Sequence, residues 1–294
     1  MSGVREGFLL LCSHLGNPER NPLTTAQLRT LSRRMRQSDV QTSMRSMEPA
    51  DLMALGYAAA EAERIVSLLS EQQLLERYLQ KAADCGCFPV TRPEAGYPAV
   101  LRRKLGADAP GCLWYRGDPG VLDQAAVSLV GSRELWPENA YFARQAGLEA
   151  ARQGFALVSG NARGADKAAQ NACLSAAGTV ISVVADALCS HSRPGILYLS
   201  EDGFDLPFSS QRALSRNRII HALGDLTLVA QSTLRKGGSW DGTVKNLRFG
   251  WSPVFCFDDG RESTAELIAM GAGRITEDDL RDLSRLEIPQ TSLF

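Results

Sequence analysis

The sequence predicts an α/β fold: a mostly parallel sheet with helices on both faces, preceded by a small all-helical domain. Three observations carry that prediction. Residues 1–87 show helical spacing of apolar residues with no strand-like run. From Val127 onward, short continuous apolar runs ("VSLVGS", "FALVSG", "TVISVVA", "LTLVAQS", "SPVFCFD") alternate with helical patterns, as strands buried on both faces do. The 294 residues also exceed one typical domain, and 44% apolar content is enough for a substantial core.

In chain order, "LTTAQLRTLSRRM" opens with a threonine suited to an N-cap and carries leucines at helical spacing. "EPADLMALG" and the long amphipathic "AAEAERIVSLLSEQQLLERYLQKAADCG" follow, the latter stopped by Gly86 and Pro89. Residues 88–126 are a Pro- and Gly-rich connector expected to pack on the domain after it, with Tyr97-Pro98 fixing an extended turn. Residues 127–275 are the parallel-sheet domain, with right-handed crossovers expected. Residues 276–294 form an acidic C-terminal segment, expected to be one solvated amphipathic helix.

Composition narrows the function. No run of 18 apolar residues occurs, so no membrane span is expected, and no signal peptide is expected at the N-terminus. The seven cysteines form no repeated Cys-x-x-Cys pattern, which predicts reduced thiols, a cytoplasmic location and no metal site. The three histidines form no spaced set. Net charge is −1, yet residues 258–294 carry −5, and residues 209–248 hold seven Lys or Arg against two Asp. Local charge sets the field a polyanion meets.

Ligands of open parallel sheets bind beyond the carboxyl ends of the strands. Three such ends carry glycine with a basic residue: Gly131-Ser132-Arg133, Ser159-Gly160-Asn161-Ala162-Arg163-Gly164, and Lys236-Gly237-Gly238. Glycine lets backbone N–H groups approach an anion, the next helix adds its N-terminal donors, and arginine offers a fork matched to phosphate. Each turn alone is also what a tight strand-to-helix connection looks like; three on one edge converge on one site. "SRNRII" adds Arg216, Asn217 and Arg218, arginines that need an anion or, alternatively, a carboxylate such as Glu201. Lys236 and Lys245 are included on charge. Trp240 and Trp251 are candidates for core packing or for base stacking near the basic strand ends, and His221 for a helix-surface or phosphate-contacting position. Asp166 is expected to order the loop near Arg163. No catalytic residue and no cofactor is assigned.

"VGSR", "SGNARGAD", "LSED" and "RNRII", in this order and spacing, resemble the DprA/Smf family of DNA-processing proteins. "YPAVLRRKLGADAPGCLWYRGD" and "ELIAMGAGRITEDDL" are similar to the family's flanking segments, so the resemblance covers most of the chain. It implies a Rossmann-like domain behind a sterile-alpha-motif-like helical domain. It implies a non-catalytic protein that binds single-stranded DNA in a basic pocket, protects it and loads the recombinase RecA in natural transformation and homologous recombination. Carried over, Arg133, Gly160, Arg163, Arg216 and Arg218 hold the backbone. Single-stranded DNA and RecA are the implied partners and a homodimer the implied assembly, with no surface for the protein contacts legible in the sequence. The chain departs from the family at "SHSRPGIL", residues 190–197, which is short and predicts an open or reshaped pocket wall.

"KGGSWDGTVKN" also resembles in outline the glycine-rich motif of Rossmann nucleotide phosphoribohydrolases. Asn246 stands where their glutamate acts, and an amide cannot serve as a carboxylate acid or base. A non-catalytic nucleotide-messenger sensor, for example in bacterial defence, is the stronger of these alternatives.

Overall fold

The computed structural model describes residues 3–17, 19–38 and 47–286. The chain divides into two compact units. The first contains residues 1–116 together with 187–190 and 200–206; the second contains 117–186, 191–199 and 207–294.

The first unit begins with five helices: α1 (Gly3–Cys12), α2 (Thr25–Arg36), α3 (Pro49–Ala54), α4 (Ala59–Ser70) and α5 (Gln72–Asp84). Thr24 caps α2 in a capping box with Gln27, as the sequence suggests. The long amphipathic pattern over 59–84 is two helices, not one, because Glu71 leaves the helical region (φ −80°, ψ 42°). The buried Arg20 lies at that break. It donates to Glu71 Oε2 (2.5 Å) and to the carbonyls of Ser13 and Leu10, cross-linking the helices. Leu9, Leu10, Leu11, Leu28, Leu31 and Ile65 are fully buried between them. The predicted 88–126 connector is divided: β1 (Phe88–Thr91), α6 (Ala99–Leu105) and β2 (Cys112–Arg116) fall in the first unit, and the part from Gly117 falls in the second. β1 and β2 pair antiparallel, Phe88 opposite Tyr115.

The second unit is built on parallel strands: β3 (Ala126–Gly131), β4 (Ala156–Ser159), β5 (Val180–Val183), β6 (Ile196–Ser200), β7 (Leu226–Gln231), β8 (Val254–Phe257) and β9 (Gly273–Ile275). Their spatial order is β6-β5-β4-β3-β7-β8-β9. This is the α/β architecture expected, and every residue of β4, β5, β6 and β8 is buried. The intervening helices are α7 (Pro137–Arg152), α8 (Ala165–Ser175), α9 (Ser210–Ser215), α10 (Asn217–Leu223), α11 (Gly237–Phe249) and α12 (Glu262–Ala269). The alanine-rich faces of α7 and α8 meet so closely that a side chain on Gly147 would overlap the Ala169 carbonyl.

Strand order turns around β3. Its crossover leads one way to β4, while that of β7 leads the other way to β8, so the crevice beyond the carboxyl ends of β3 and β7 is a topological switch point. The β3–β7 register also shifts there, between Val130 and Gly131. Such bulges recur beside binding sites.

The C-terminal segment is not one amphipathic α-helix. Asp278–Arg285 is a 3-10 stretch interrupted at Asp282 (φ −144°), with Leu280 and Leu283 buried. Residues 287–294 of that segment lie outside the described residues.

Candidate phosphate-binding site

The three glycine turns do converge. A cavity of about 530 Å³ at the switch point is lined by Gly131, Ser132 and Arg133 after β3, by Arg216 and Asn217, and by Lys236, Gly237 and Gly238 at the start of α11. A second cavity of about 510 Å³ adjoins it, lined by Gly160, Asn161, Arg163, Asp186 and Phe208. Arg133, Ala162, Ala213 and Arg216 border both, so the two form one bilobed site.

The turns hold one another in place. Gly164 (φ 85°) sits so near the β3 turn that a Cβ would overlap the carbonyl oxygens of Ser132 and Arg133. Ala165 N–H donates to Ser132 O at 3.2 Å. A Cβ on Gly131 would lie 2.5 Å from that of Ala165. Asp166 orders the second turn, as expected, by accepting from Gly160 N–H (3.0 Å) and Ala162 N–H (3.1 Å). Burial raises its pKa above the usual carboxylate value, and Arg216 and the two amides oppose that rise. Ser159 is wholly buried and accepts from Gln170 Nε2 at 2.7 Å, so it serves the sheet and not the cavity.

Arg216 is the centre of the site. This residue is both the C-cap of α9 and the N-cap of α10, and its side chain runs inward with 8% exposure. Its Nε and Nη1 are buried and have no hydrogen-bond partner. A Cβ on Gly160 would overlap its guanidinium, so this glycine is what admits the arginine. Burial lowers the Arg216 pKa, an effect offset by Asp166 and Asp186 and reinforced by Arg133. A desolvated cation with unused donors is costly unless an anion supplies the acceptors.

The other basic residues separate by position. Arg133 and Lys236 are exposed on the walls of the larger cavity, and Arg163 is exposed on the rim of the smaller, 3.4 Å from Glu134. Asn217 lines the wall and donates to Gly238 O at 2.9 Å. Arg218 and Lys245 line neither cavity. Arg218 turns back to Ser215 O and Oγ, both at 2.7 Å, and Lys245 pairs along α11 with Asp241 at 2.8 Å.

Of the two alternatives for the tryptophans, Trp240 takes core packing, buried in the first turn of α11, and Trp251 follows the far end of that helix, stacked on Phe249 and away from the strand ends that form the site. Two expectations are corrected. His221 is fully buried, neither on a helix surface nor at a phosphate; burial lowers its pKa to about 3. No residue of 190–197 lines either cavity; Ala185, Asp186, Phe208 and Ala213 form the wall assigned to that segment. Sequence reasoning missed Asp186 and Phe208, though "VVAD" at the end of β5 follows the same rule that found the glycine turns. Among the described residues no group of acidic, cysteine or histidine side chains could hold a metal ion. No described helix is long and apolar enough to cross a membrane, and all seven cysteines are free.

The sequence profile of the DNA recombination-mediator protein A family matches residues 89–283, the stretch that contains both lobes of the site. The chain belongs to this family. The DNA processing protein DprA of Bacillus subtilis (strain 168) is 27% identical over 238 residues, 75% of this chain and 79% of that protein. Protein Smf of Escherichia coli (strain K12) is 30% identical over 142 residues, 44% of this chain and only 38% of that protein. In structure, DNA processing protein A from Streptococcus pneumoniae is similar over 98% of this chain and 99% of its own, with a TM-score of 0.74 at 22% identity. DNA processing protein A from Helicobacter pylori, whose structure was described for its single-stranded DNA binding mode, is similar over 64% of this chain and 90% of its own, with a TM-score of 0.54 at 24% identity. Membership assigns the chain to DNA processing, and the structural likenesses give the same α/β fold.

Proposed function

We propose that this chain binds single-stranded DNA through its sugar–phosphate backbone, in the bilobed site at the switch point. The observation that carries the reading is Arg216: a buried guanidinium with two unpartnered nitrogens, in a wall shared by two basic cavities. Backbone phosphates supply the missing acceptors, with Arg133 and Lys236 flanking and Arg163 on the rim. Such contacts release counterions and confer affinity without sequence preference. The reading extends to protection of DNA in the cytoplasm and to help in loading RecA, the role the family resemblance implies.

The site acts by binding and not by catalysis. Asn246, at the position of the hydrolase glutamate, is fully buried and bonded to His221, Ser252 Oγ and Ser252 N–H, away from both cavities. The larger cavity alone has the volume of a mononucleotide site, which is what favours a nucleotide sensor as the second reading.

Fluorescence anisotropy with labelled oligo-dT over a salt series tests the proposal. Four cations on phosphates give a log–log slope of about −3, and loss of one reduces it by about 0.7. Arg216→Ala should lose most of the affinity. Tight binding of a mononucleotide with no affinity for oligo-dT would replace this reading with the sensor.

A further inference from the structure

The β3 turn runs on past Arg133 to Trp136, the residue before α7. Gln231, at the end of β7, pins this stretch to the edge that holds the larger cavity: its Oε1 accepts from Trp136 N–H and its Nε2 donates to Glu134 O, both at 3.0 Å. Glu134 itself lines that cavity. The Trp136 side chain is 55% exposed, whereas Trp114 and Trp240 are buried. One side of the indole is already covered, because the Arg261 guanidinium lies 4.9 Å from the ring centroid. Arg261 is fixed in turn by Glu138 (2.7 Å), Asp259 (3.1 Å) and Asn139 Oδ1 (3.2 Å). The result is a large apolar ring with an anchored backbone, a cation against it and more than half of its surface in solvent, two residues along the chain from Glu134 in the wall of the larger cavity.

We propose that Trp136 is a stacking platform for a nucleobase of the strand whose phosphates occupy the cavity. The inference rests on the DNA-binding reading and adds to it where the strand leaves the site. A base is the occupant that matches both neighbours. It carries a π-face for the indole, and it is tethered to the phosphate held next door. Because the ring is held before binding, stacking there costs little ordering. Every base has such a face, so the contact adds affinity without sequence choice.

The test compares labelled oligo-dT with a matched oligomer of abasic deoxyribose-phosphate units, for the wild type, Trp136→Ala, Arg216→Ala and Tyr141→Ala. Tyr141 is an exposed aromatic elsewhere on α7 and serves as the control. Loss of one stack should weaken oligo-dT binding about five- to tenfold in Trp136→Ala. Its affinity for the abasic strand and its salt slope should stay unchanged, since an indole neutralises no phosphate. Arg216→Ala should weaken both ligands, and Tyr141→Ala neither. Equal loss on both ligands, or no loss on oligo-dT, in Trp136→Ala overturns the stacking proposal while leaving the cavity reading in place. Failure of the wild type to bind either strand, or indifference to Arg216→Ala, overturns the cavity reading as well. A shift from dimer to monomer in sedimentation of Trp136→Ala would instead assign the ring to contact with a second copy, and would likewise overturn stacking.

Discussion

If Arg216 awaits an anion, replacing it should strengthen the free protein while abolishing binding. Arg216→Met keeps most of the stem's packing and removes the charge. The native arginine leaves Nε and Nη1 buried without partners, and each unsatisfied donor costs about 1–3 kcal/mol. Against this stands its attraction to Asp166 and Asp186, neither within ion-pair distance. Asp166 does not depend on Arg216 alone, because it retains the amides of Gly160 and Ala162. The net expectation is a gain of about 1–3 kcal/mol, in line with other buried charges replaced by apolar side chains. Calorimetry with and without oligo-dT reads both halves. The variant should melt several degrees higher than the wild type without ligand, at about 2–4 °C per kcal/mol. The wild type should gain about 2.7 kcal/mol at a hundredfold excess over Kd, and the variant nothing. A variant destabilised by about 3–5 kcal/mol would refute the reasoning, since that is the signature of a structural ion pair losing one member.

Gly160→Ala should leave the backbone unstrained yet displace the guanidinium its Cβ would overlap, so oligo-dT affinity should fall at least about tenfold with every charge retained, a loss of about 1.4 kcal/mol; unchanged binding by anisotropy would show that Arg216 has room to move. Arg218→Ala and Lys245→Ala should each change affinity by less than about threefold in the same assay, because one is folded back on Ser215 and the other paired with Asp241. The fully buried His221 predicts a pH effect with a definite sign. Its pKa falls from 6.5 unfolded to about 3 folded, so the unfolded chain takes the proton first. The stability it contributes is complete above pH 6.5 and drains as pH falls toward 3, with a slope approaching about 1.4 kcal/mol per pH unit. Denaturant titrations across that window should show this slope, and His221→Gln should remove it.

The strands were legible because burial on both faces leaves continuous apolar runs, and β3, β4, β5, β7 and β8 all stand where such runs occur. β6 escaped because "ILYLS" follows a short irregular stretch without a helical pattern to mark a crossover. The site's edge was legible for the same reason: strand ends are local, and the rule that ligands gather beyond them needs only the sequence. Side-chain direction is not local. Arg216 and Arg218 are two residues apart in αR backbone, so they point to opposite sides, one buried in the site and the other folded back on Ser215. Trp240 and Trp251 flank the same basic stretch, but α11 carries the chain back across the sheet between them and delivers Trp251 to the opposite end. The tryptophan that does stand at the site edge, Trp136, attracted no notice because its surroundings are supplied by Gln231 and Arg261, both far away in sequence.

The glycines show how a correct pattern can carry a different cause. Their spacing suggested amides approaching an anion, but Gly131 and Gly164 make room for each other's turns, and Gly160 makes room for Arg216. Of the glycines that line the cavities, Gly237 and Gly238 are the ones that stand in the first turn of a helix, where N–H groups have no partner within the helix. The anion field of this site is therefore built chiefly from guanidinium groups, and glycine's main part is to let one of them be buried. That arrangement suits a strand better than a single nucleotide. A cradle of amides encloses one phosphate, whereas Arg216, standing in the wall between two lobes, can address phosphates on either side of it.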